Sequence, residues 1–334
     1  VFCEPERSDP GIEFDTWHGV HRRFIRTSGG ALGTLQYDLR SISMIPRHSV
    51  VLLFGYGTAL FQLRLKALGI PHAVNMDGIE WQRAKWGAVA RAWLRLNEFI
   101  ATRLADLLIA DHPEIGNYLA RRLGVESRMI AYGVDLDAGR DLAASHGVLD
   151  KYRNQPFFLV IARAEPENQI HVILEAYRLS KSPVPLVVVG NFDATPYGRD
   201  LKAGNPAVDF VGAVYEEKVL NRLRSTASLY LHGHSVGGTN PSLIEAMAAG
   251  SVIVAHDNVF NRWVAGSGAL YFVGSEDLAA FFRTPPDAAL SSELRRAAAG
   301  RTIRLRVHRH DFVVPRGGAQ AGDGEGRGAG EDDA

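Results

Sequence analysis

The stretch HGHSVGGTNPSLIEAMAAG joins a short apolar run, which predicts a buried strand, to an alanine-rich helical pattern. Asn240 suits the N-cap of that helix, and Pro241 suits its first position. The glycine turn between the strand and the helix (Gly237, Gly238 and Thr239) is expected to present free backbone N–H groups at the positive end of the helix dipole. Phosphate is the ligand that such a turn binds best. The alternative is a tight turn without a ligand.

Two charged residues would complete a phosphate site. Arg163 directly follows the predicted strand FFLVIA, so it faces the same crevice as the glycine turn, and its guanidinium matches diphosphate oxygens. Glu245 lies one turn into the helix, where its carboxylate can accept hydrogen bonds from ribose hydroxyls. The alternative for Arg163 is a surface ion pair with Glu165 or Glu167. Together these residues indicate a ligand with a diphosphate and a ribose.

A second acidic motif, NMDGIEWQRAKW, follows the predicted strand PHAV. A carboxylate at Asp77 can position or polarise an attacking hydroxyl. Glu80 is the second candidate for this role. The alternative for Asp77 is an N-terminal cap of the helix that follows.

Basic and tryptophan residues alternate from this motif into the next helix. The pattern suits a membrane interface or a lipid-diphosphate acceptor, so Arg83 and Lys85 are assigned to the acceptor side. One alternative is an amphipathic core helix with a solvated basic face. Another is base stacking with RNA, although the sequence has no RNA-binding module pattern. The full set is Arg83, Lys85, Arg91, Arg95 and Arg103 with Trp81, Trp86 and Trp93.

Four potential metal ligands lie at the ends of two predicted strands. His232 and His234 are two residues apart and point to one side, and His256 and Asp257 end the next strand. Such a set can bind zinc or manganese, which would indicate a metallohydrolase. In the phosphate interpretation no metal is needed, and His234 instead donates a hydrogen bond to a diphosphate or a sugar hydroxyl. A nicotinamide dehydrogenase is disfavoured, because no predicted strand is followed by G-x-G-x-x-G.

Apolar runs alternate with helical patterns along most of the chain, which indicates an α/β fold with parallel sheets covered on both faces. The predicted strands are VHRRFI, SVVLLFG, PHAVNM, ADLLIA and SRMIAY in the first half, and FFLVIA, PLVVVG, VDFVG, SLYLHG, SVIVAH and GALYF in the second. The predicted helices are Leu32–Ser43, Thr58–Leu68, Gln82–Arg103, Glu167–Leu179, Glu216–Ser225, Pro241–Ala249 and Glu276–Phe282.

The polarity of the chain divides it into two domains and a tail. Residues 1–135 form the first domain, residues 136–155 a polar linker, and residues 156–300 the second domain. Residues 301–334 form an atypical tail that becomes Gly-rich and acidic from about Pro315. That composition cannot bury enough apolar surface to fold, so the tail is predicted to be disordered.

Composition excludes several classes of protein. The 334 residues suffice for two domains of about 150 residues each. Lys plus Arg and Asp plus Glu both total 37, so no net charge drives binding to nucleic acid. The single cysteine, Cys3, rules out an internal disulfide and fits a reducing, cytoplasmic compartment. The longest apolar runs fall far short of the roughly 20 residues of a membrane-spanning helix.

Several motifs, in their order and spacing, resemble the family-4 retaining glycosyltransferases with the GT-B fold. They are ARAEPENQIHVILEAY, LVVVGN, the run from FVGAV to AHDN, and GALYF. GGALGTLQYD and AVNMDGIEWQRAKWG are similar to the branch of rhamnosyltransferases of bacterial surface-polysaccharide assembly. The resemblance extends from Val1 to about Ala299.

This resemblance implies two Rossmann-like domains whose parallel sheets face each other across a cleft. The donor would be a nucleoside diphosphate sugar, with dTDP-rhamnose favoured, and the acceptor a glycan or a lipid-linked glycan. No cofactor and no nucleic-acid partner are implied. The enzyme would act in the cytoplasm, in peripheral contact with the inner face of the membrane.

Donor-side residues carry over by position. Arg163 matches the family arginine that contacts the donor diphosphate, and Glu245 matches the glutamate that binds the ribose. Asn168 stands where the family usually has a lysine, so one positive contact is missing. Tyr215 lies either near the nucleoside base or, as the alternative, packed at a helix start.

Two positions depart from the family pattern. Gly237 stands where relatives have a second glutamate, so the backbone amides of Gly238, Thr239 and Asn240 are expected to contact the sugar and the phosphates instead. Asp77 stands where many relatives have an acceptor-side histidine. In the implied retaining mechanism the acceptor attacks from the side that the diphosphate leaves. Asp77 would then orient the hydroxyl and stabilise positive charge at the anomeric carbon.

The two ends of the chain also differ from relatives. The chain starts at what resembles their second strand, so the first domain is expected to be incomplete. The tail has none of the Trp and Tyr residues of their final helix. A catalytically inactive nucleotide-sugar-binding remnant is therefore the alternative to an active enzyme.

Overall fold

The computed structural model describes residues 1–3, 13–17, 19–28, 30–83, 86–134 and 146–307. In these residues the chain forms two α/β halves, each with a parallel sheet, as predicted. No helix in the described ranges is both long enough and apolar enough to cross a membrane.

The first half has the following elements. Its strands are β1 (Phe2–Cys3), β2 (Phe14–Trp17), β3 (Val20–Phe24), β4 (Val51–Phe54), β5 (His72–Asn75), β6 (Leu107–Ala110) and β7 (Arg128–Met129). Its α-helices are α1 (Gly30–Ser43), α2 (Gln62–Ala67), α3 (Ala88–Leu104) and α4 (Pro113–Tyr118), with 3-10 turns at Ala59–Phe61 and Glu80–Gln82 and a π-helical turn at Leu119–Leu123.

The first half contains two sheets. Strands β4-β5-β6-β7 form a parallel sheet, in which Val74 pairs with Leu53 on one side and Leu108 on the other. A separate small sheet has the order β1-β3-β2, with β3 parallel to β1 and antiparallel to β2. The predicted strand VHRRFI forms as β3, which is only partly covered and pairs antiparallel with β2 as well as parallel with β1.

The second half has the following elements. Its strands are β8 (Phe158–Ile161), β9 (Leu186–Val189), β10 (Asp209–Gly212), β11 (Leu229–His232), β12 (Ile253–His256) and β13 (Ala269–Phe272). Its helices are α5 (Gly147–Lys151), α6 (Ile170–Ser180), α7 (Pro196–Ala203), α8 (Glu217–Thr226), α9 (Pro241–Ala248), α10 (Val259–Ala265), α11 (Ser275–Arg283) and α12 (Ala288–Val307).

These six strands form one parallel sheet with the order β10-β9-β8-β11-β12-β13. Successive residues of the central strands point to opposite faces, so Leu159 and Phe158 belong to two different apolar clusters, one on each side of the sheet. The strand order reverses between β8 and β11. Ligands of doubly wound sheets bind at the carboxyl ends of the strands beside such a reversal.

The structure moves three predicted boundaries. The helix predicted at Gln82–Arg103 starts only at Ala88, after a 3-10 turn, because Gly87 is its N-cap. Part of the predicted linker forms α5, whose Val148 packs into the second-domain core. Helix α12 continues to Val307, so the predicted start of the tail at 301 is too early, while residues 308–334 lie outside the described ranges.

Candidate functional site

The glycine turn lies at the strand reversal, between β11 and α9, as the sequence predicts. Asn240 is the N-cap of α9, and its side chain accepts a hydrogen bond from the Ser242 amide at 2.9 Å. Pro241 is the first helical residue. Gly237 has a φ of 110°, a left-handed value that favours glycine.

A pocket of about 630 Å³, the second-domain pocket, opens beside this turn at the carboxyl ends of the strands. Arg163, Asn168, Tyr215 and Glu245 line it. Tyr215 is 80% exposed, so its alternative interpretation as a packing residue is wrong. The structure thus brings the predicted diphosphate and ribose contacts to one cavity.

Arg163 lines this pocket and keeps most of its side chain in solvent, at 72% exposure. Its only ion pair in the described part of the chain is a loose one, with Glu165 at 3.4 Å. Glu167, the other partner considered, is buried. A guanidinium held this loosely remains available to a ligand, because an exposed pair contributes little energy.

Asn168 and His234 connect the Arg163 loop to the glycine turn. The Asn168 side-chain amide donates to the Arg163 carbonyl at 2.9 Å, so its oxygen faces His234 Nδ1 at 2.8 Å. That nitrogen must therefore carry the proton. Burial and the positive charges of Arg83 and Arg163 lower the pKa of His234 to about 4, so the ring is neutral at pH 7.

This protonation state changes the predicted role of His234. With the proton on Nδ1, a neutral ring offers Nε2 as a hydrogen-bond acceptor. His234 was predicted to donate to a diphosphate or a sugar hydroxyl, but the Asn168 contact leaves it suited to accept from a hydroxyl. Asn168, in turn, positions its neighbours through two side-chain hydrogen bonds.

Glu245 is held by a residue that the sequence analysis missed. Arg224 of α8 is 2% exposed, and its guanidinium donates to Glu245 Oε2 and, at 3.1 Å, to Asn221 Oδ1. The Glu245 side chain stays 41% exposed at the pocket wall. A signal was present, since Arg224 follows the core residue Leu223 in the chain, and a buried charge needs a partner.

A second cavity of about 350 Å³, the interdomain pocket, lies between the two halves. Asp77, Glu80 and Arg83 line it from the first half, and the glycine turn lines it from the second. Arg163 lines both cavities, so they meet at its guanidinium. The candidate acceptor-side residues Asp77, Glu80 and Arg83 thus lie together in one wall of this cavity, and Lys85 lies outside the described residues.

Asp77 does not cap a helix, so that alternative is wrong. The following 3-10 turn has Ile79 as its N-cap, without a side-chain hydrogen bond. Asp77 instead has a φ of 42°, and its amide donates to Asn75 Oδ1 at 3.2 Å. A left-handed aspartate at the end of a strand is strained backbone of the kind that functional sites contain.

Glu80 and Arg83 form a network rather than two independent groups. Glu80 accepts from Arg83 Nε at 2.7 Å and from Trp86 Nε1 at 3.0 Å. The Glu80 amide also donates to the Tyr56 hydroxyl at 2.8 Å. These bonds fix the wall of the interdomain pocket, so Glu80 acts first as a structural carboxylate.

Asp111, at the end of β6, is the main residue that the sequence analysis missed. Its Oδ2 accepts a hydrogen bond from the Thr239 amide at 2.8 Å, and its carbonyl accepts from the Thr239 hydroxyl. The prediction of a free Thr239 amide was therefore wrong, because a carboxylate of the other half already occupies it. The signal was the run LLIAD, since polar residues that end parallel strands face the ligand edge.

Burial dominates the electrostatics of Asp111. The residue is 2% exposed, and desolvation raises its pKa to about 6, against the lowering effect of the Thr239 amide. The charge of Asp77 raises it further. Burial raises the pKa of the Tyr132 hydroxyl to about 12, and the charges of Asp77 and Asp111 contribute to this increase.

The next residue, His112, packs across the same interface between the two halves. Its ring packs edge-on against Phe260 at 5.0 Å and Trp263 at 4.7 Å, both on α10 of the other half. Burial lowers the pKa of His112 to about 4, so it packs as a neutral ring. Asp111 and His112 therefore connect the two halves as adjacent residues.

Backbone also meets backbone across this interface. A Cβ built on Gly78, which has a φ of 81°, would lie 3.3 Å from Gly237 Cα. A Cβ on Gly238 would lie 2.2 Å and 2.3 Å from the two carboxylate oxygens of Asp111. Glycine is thus required where the two halves touch.

Three of the four predicted metal ligands have other partners. Asp257 pairs with Arg262, His256 lies 3.1 Å from Asn258 Nδ2, and His234 bonds Asn168. His232 is fully buried, which lowers its pKa to about 3. Within the described ranges, no group of three or more His, Cys, Asp or Glu side chains can hold a metal ion.

Two family models match parts of this chain. Residues 143–290 match the model described as glycosyl transferases group 1, and residues 50–135 match a domain of unknown function, DUF1972. The second-domain pocket, the glycine turn, Arg163 and Glu245 all lie within the residues that match the glycosyl transferases group 1 model, whereas Asp77 and Asp111 lie within the residues that match DUF1972.

Solved structures confirm the GT-B fold. The sucrose-phosphate synthase of Thermosynechococcus elongatus is 18% identical, with a TM-score of 0.72 over 91% of this chain and 84% of that one. Anabaena HepE, solved in complex with UDP-glucose, is 15% identical, with a TM-score of 0.68 over 87% of this chain and 84% of that one.

One curated protein is similar to this chain in sequence. It is a glycosyltransferase of Methanocaldococcus jannaschii described as uncharacterised, 25% identical over 166 residues. The match covers 45% of this chain and 41% of the relative, so this chain spans less than half the length of that protein.

Proposed function

We propose that this protein transfers a sugar from a nucleoside diphosphate sugar to a glycan or lipid-linked acceptor, with retention at the anomeric carbon. The observation that carries the proposal is the junction of two cavities at Arg163, His234 and Asn240, which line both of them. A nucleotide fits the second-domain pocket, and the sugar, attached through the diphosphate, then extends into the interdomain pocket. HepE, a structural relative, has been solved with UDP-glucose, which supports this class of donor.

The diphosphate is the centre of the proposed complex. The amino terminus of α9 and the guanidinium of Arg163 supply positive charge on two sides of the junction. Glu245, oriented by Arg224, accepts hydrogen bonds from the ribose hydroxyls. The exposed ring of Tyr215 lies at the mouth of the pocket, where it can cover the base.

The proposed transfer is balanced without a cofactor. An acceptor hydroxyl attacks the anomeric carbon from the face that the diphosphate leaves, so a new C–O bond forms as the bond to the phosphate oxygen breaks. The proton of the hydroxyl passes to the departing phosphate oxygen. Asp77, in the wall of the interdomain pocket, orients the hydroxyl and stabilises positive charge at the anomeric carbon.

The sugar donor favoured is dTDP-rhamnose, on the basis of the motifs GGALGTLQYD and AVNMDGIEWQRAKWG. Calorimetry and a turnover assay with dTDP-rhamnose and a panel of UDP-sugars test both the class and the donor. Release of nucleoside diphosphate supports the transferase. Binding without turnover indicates the nucleotide-sugar-binding remnant, and turnover abolished by a chelator indicates the metal-dependent hydrolase.

Glu245→Gln tests the ribose contact. Glutamine keeps an oxygen for Arg224 but loses the charge, so binding of UDP is expected to weaken about 10-fold to 100-fold, as for the loss of a hydrogen bond to a charged group. Inorganic pyrophosphate, which has no ribose, should bind as before. Isothermal titration calorimetry measures both ligands, and Glu175→Gln, on the surface of α6, is the matched control. Equal weakening for both ligands would contradict the assignment.

We further propose that α3 binds the surface of an anionic membrane. Its exposed residues Val89, Trp93 and Leu96 are spaced to lie on one face. Arg103 lies beside that face, and Arg95 and Arg91 continue the exposed surface around the helix. Arg95 lies over the Trp81 ring at 4.1 Å, which ties this helix to the wall of the interdomain pocket. A lipid-linked acceptor would thus reach the cleft from the membrane.

Flotation with lipid vesicles measures this contact. The protein is expected to float with vesicles that contain 30% phosphatidylserine, roughly the composition that makes a basic surface bind, and to stay in solution with pure phosphatidylcholine. Arg91→Glu combined with Leu96→Glu should abolish flotation. Glu175→Lys, on the remote helix α6, should leave it unchanged. Failure of the parent protein to float would refute the proposal.

A further inference from the structure

The carboxylate of Asp111 has one oxygen without a partner. Oδ2 accepts from the Thr239 amide, but Oδ1 has no hydrogen-bond partner among the described residues, although the side chain is 2% exposed. A buried carboxylate oxygen without a donor is costly, because it has lost water and gained nothing in return. Asp111 also forms part of the wall of the interdomain pocket.

Given the proposed function, we propose that Asp111 binds a hydroxyl of the sugar being transferred, through Oδ1, and thereby determines which donors are accepted. Oδ1 can only accept a hydrogen bond when the carboxylate is ionised, so its partner must be a donor group. A phosphate is excluded by like charge. The neighbouring Asp77 reinforces this repulsion, since its charge acts on Asp111.

The place of Asp111 favours the donor sugar over the acceptor. Thr239, which it holds, directly precedes the N-cap of α9, where the diphosphate is proposed to bind. The transferred sugar is attached to that diphosphate by a single bridging oxygen. Its hydroxyls are thus the first hydroxyls of the complex that come within reach of the glycine turn.

The geometry also explains why the turn needs glycine at this point. Any side chain at Gly238 would overlap the carboxylate, since its Cβ alone would lie 2.2 Å from Oδ1. The turn therefore leaves room for a carboxylate that the other half supplies. The site is complete only when the two halves are packed together as they are here.

Asp111→Asn separates the two roles of the side chain. Asparagine keeps an oxygen for the Thr239 amide and replaces the unpartnered acceptor by a donor. Calorimetry compares UDP with UDP-glucose and dTDP with dTDP-rhamnose, in the parent and in the variant. In the parent, one sugar nucleotide of a pair is expected to bind more tightly than its diphosphate alone. In the variant this gain should fall by about 10-fold to 100-fold, with diphosphate binding unchanged.

Each other outcome contradicts the inference. Equal weakening for the diphosphate and the sugar nucleotide would show that Asp111 only holds the glycine turn. Unchanged binding of both would show that it contacts no ligand. A parent protein that binds none of the four nucleotides would refute the proposed function as well. This result distinguishes a failure of the proposed function from a failure of the Asp111 inference alone. Asp193→Asn, which removes an exposed carboxylate paired with Lys202, is the control.

Discussion

Arg163→Ala is expected to lower kcat/KM for the sugar donor by about 100-fold to 1000-fold, the usual cost of removing one group that stabilises a developing negative charge. The guanidinium lies where the two cavities meet, so it faces the diphosphate as that group takes up charge and leaves. The loss should appear mainly in kcat, because the charge grows in the transition state. Steady-state kinetics with the best donor measure both constants.

Arg178→Ala is the matched control, because Arg178 is equally exposed, at 68%, and pairs with Glu175 on the surface of α6. Its kinetics should equal those of the parent. Arg163→Lys should recover only part of the activity, since an ammonium cannot bind two phosphate oxygens side by side. An Arg163→Ala enzyme with full activity would place the diphosphate elsewhere.

Asp111→Asn is expected to stabilise the ligand-free protein above pH 6 by at most about 3 kcal/mol, from 1.36 kcal/mol per pKa unit. Burial raises the pKa of Asp111 from 3.8 to about 6, so the folded state binds a proton more tightly than the unfolded chain. The free energy of unfolding of the parent therefore falls as the pH rises from about 4 to 6. Asparagine does not titrate in this range, so the difference in the free energy of unfolding between the variant and the parent disappears at acidic pH.

Urea unfolding of both proteins at pH 4.5, 6 and 8 measures this difference. The midpoints should separate as the pH rises and converge as it falls. A variant less stable than the parent at pH 8 would show that the ionised carboxylate stabilises the interface despite the cost of its desolvation, which would contradict the prediction. The expected result is a residue that improves ligand binding at the expense of stability, as functional sites often do.

The second-half fold follows closely from the sequence. All six predicted strands form and pair in parallel, because runs such as PLVVVG are buried on both faces and have no competing pattern. The first half was harder to predict. The run VHRRFI has three successive basic residues in its middle, and only the tertiary pairing of β3 with β2 decides its orientation.

The site was predictable where the signal is local. Arg163 and the cap at Asn240 lie at the ends of elements, and Glu245 lies one turn into the helix that Asn240 caps, so the chain order alone brings them together. Arg224 and Asp111 were missed because their partners are distant in sequence. Asp111 is separated from Thr239 by 128 positions, and no local pattern reports a hydrogen bond of that kind.

Gly78 and Gly237 lie close together where the two halves meet. Gly78 has no side chain, and a Cβ built on it would lie only 3.3 Å from Gly237 Cα. A side chain at Gly78 would therefore push the two halves apart at this point. A methyl group added at Gly78 would hold the two halves further apart in the ligand-free enzyme, and the width of the cleft would then influence which donor sugars fit.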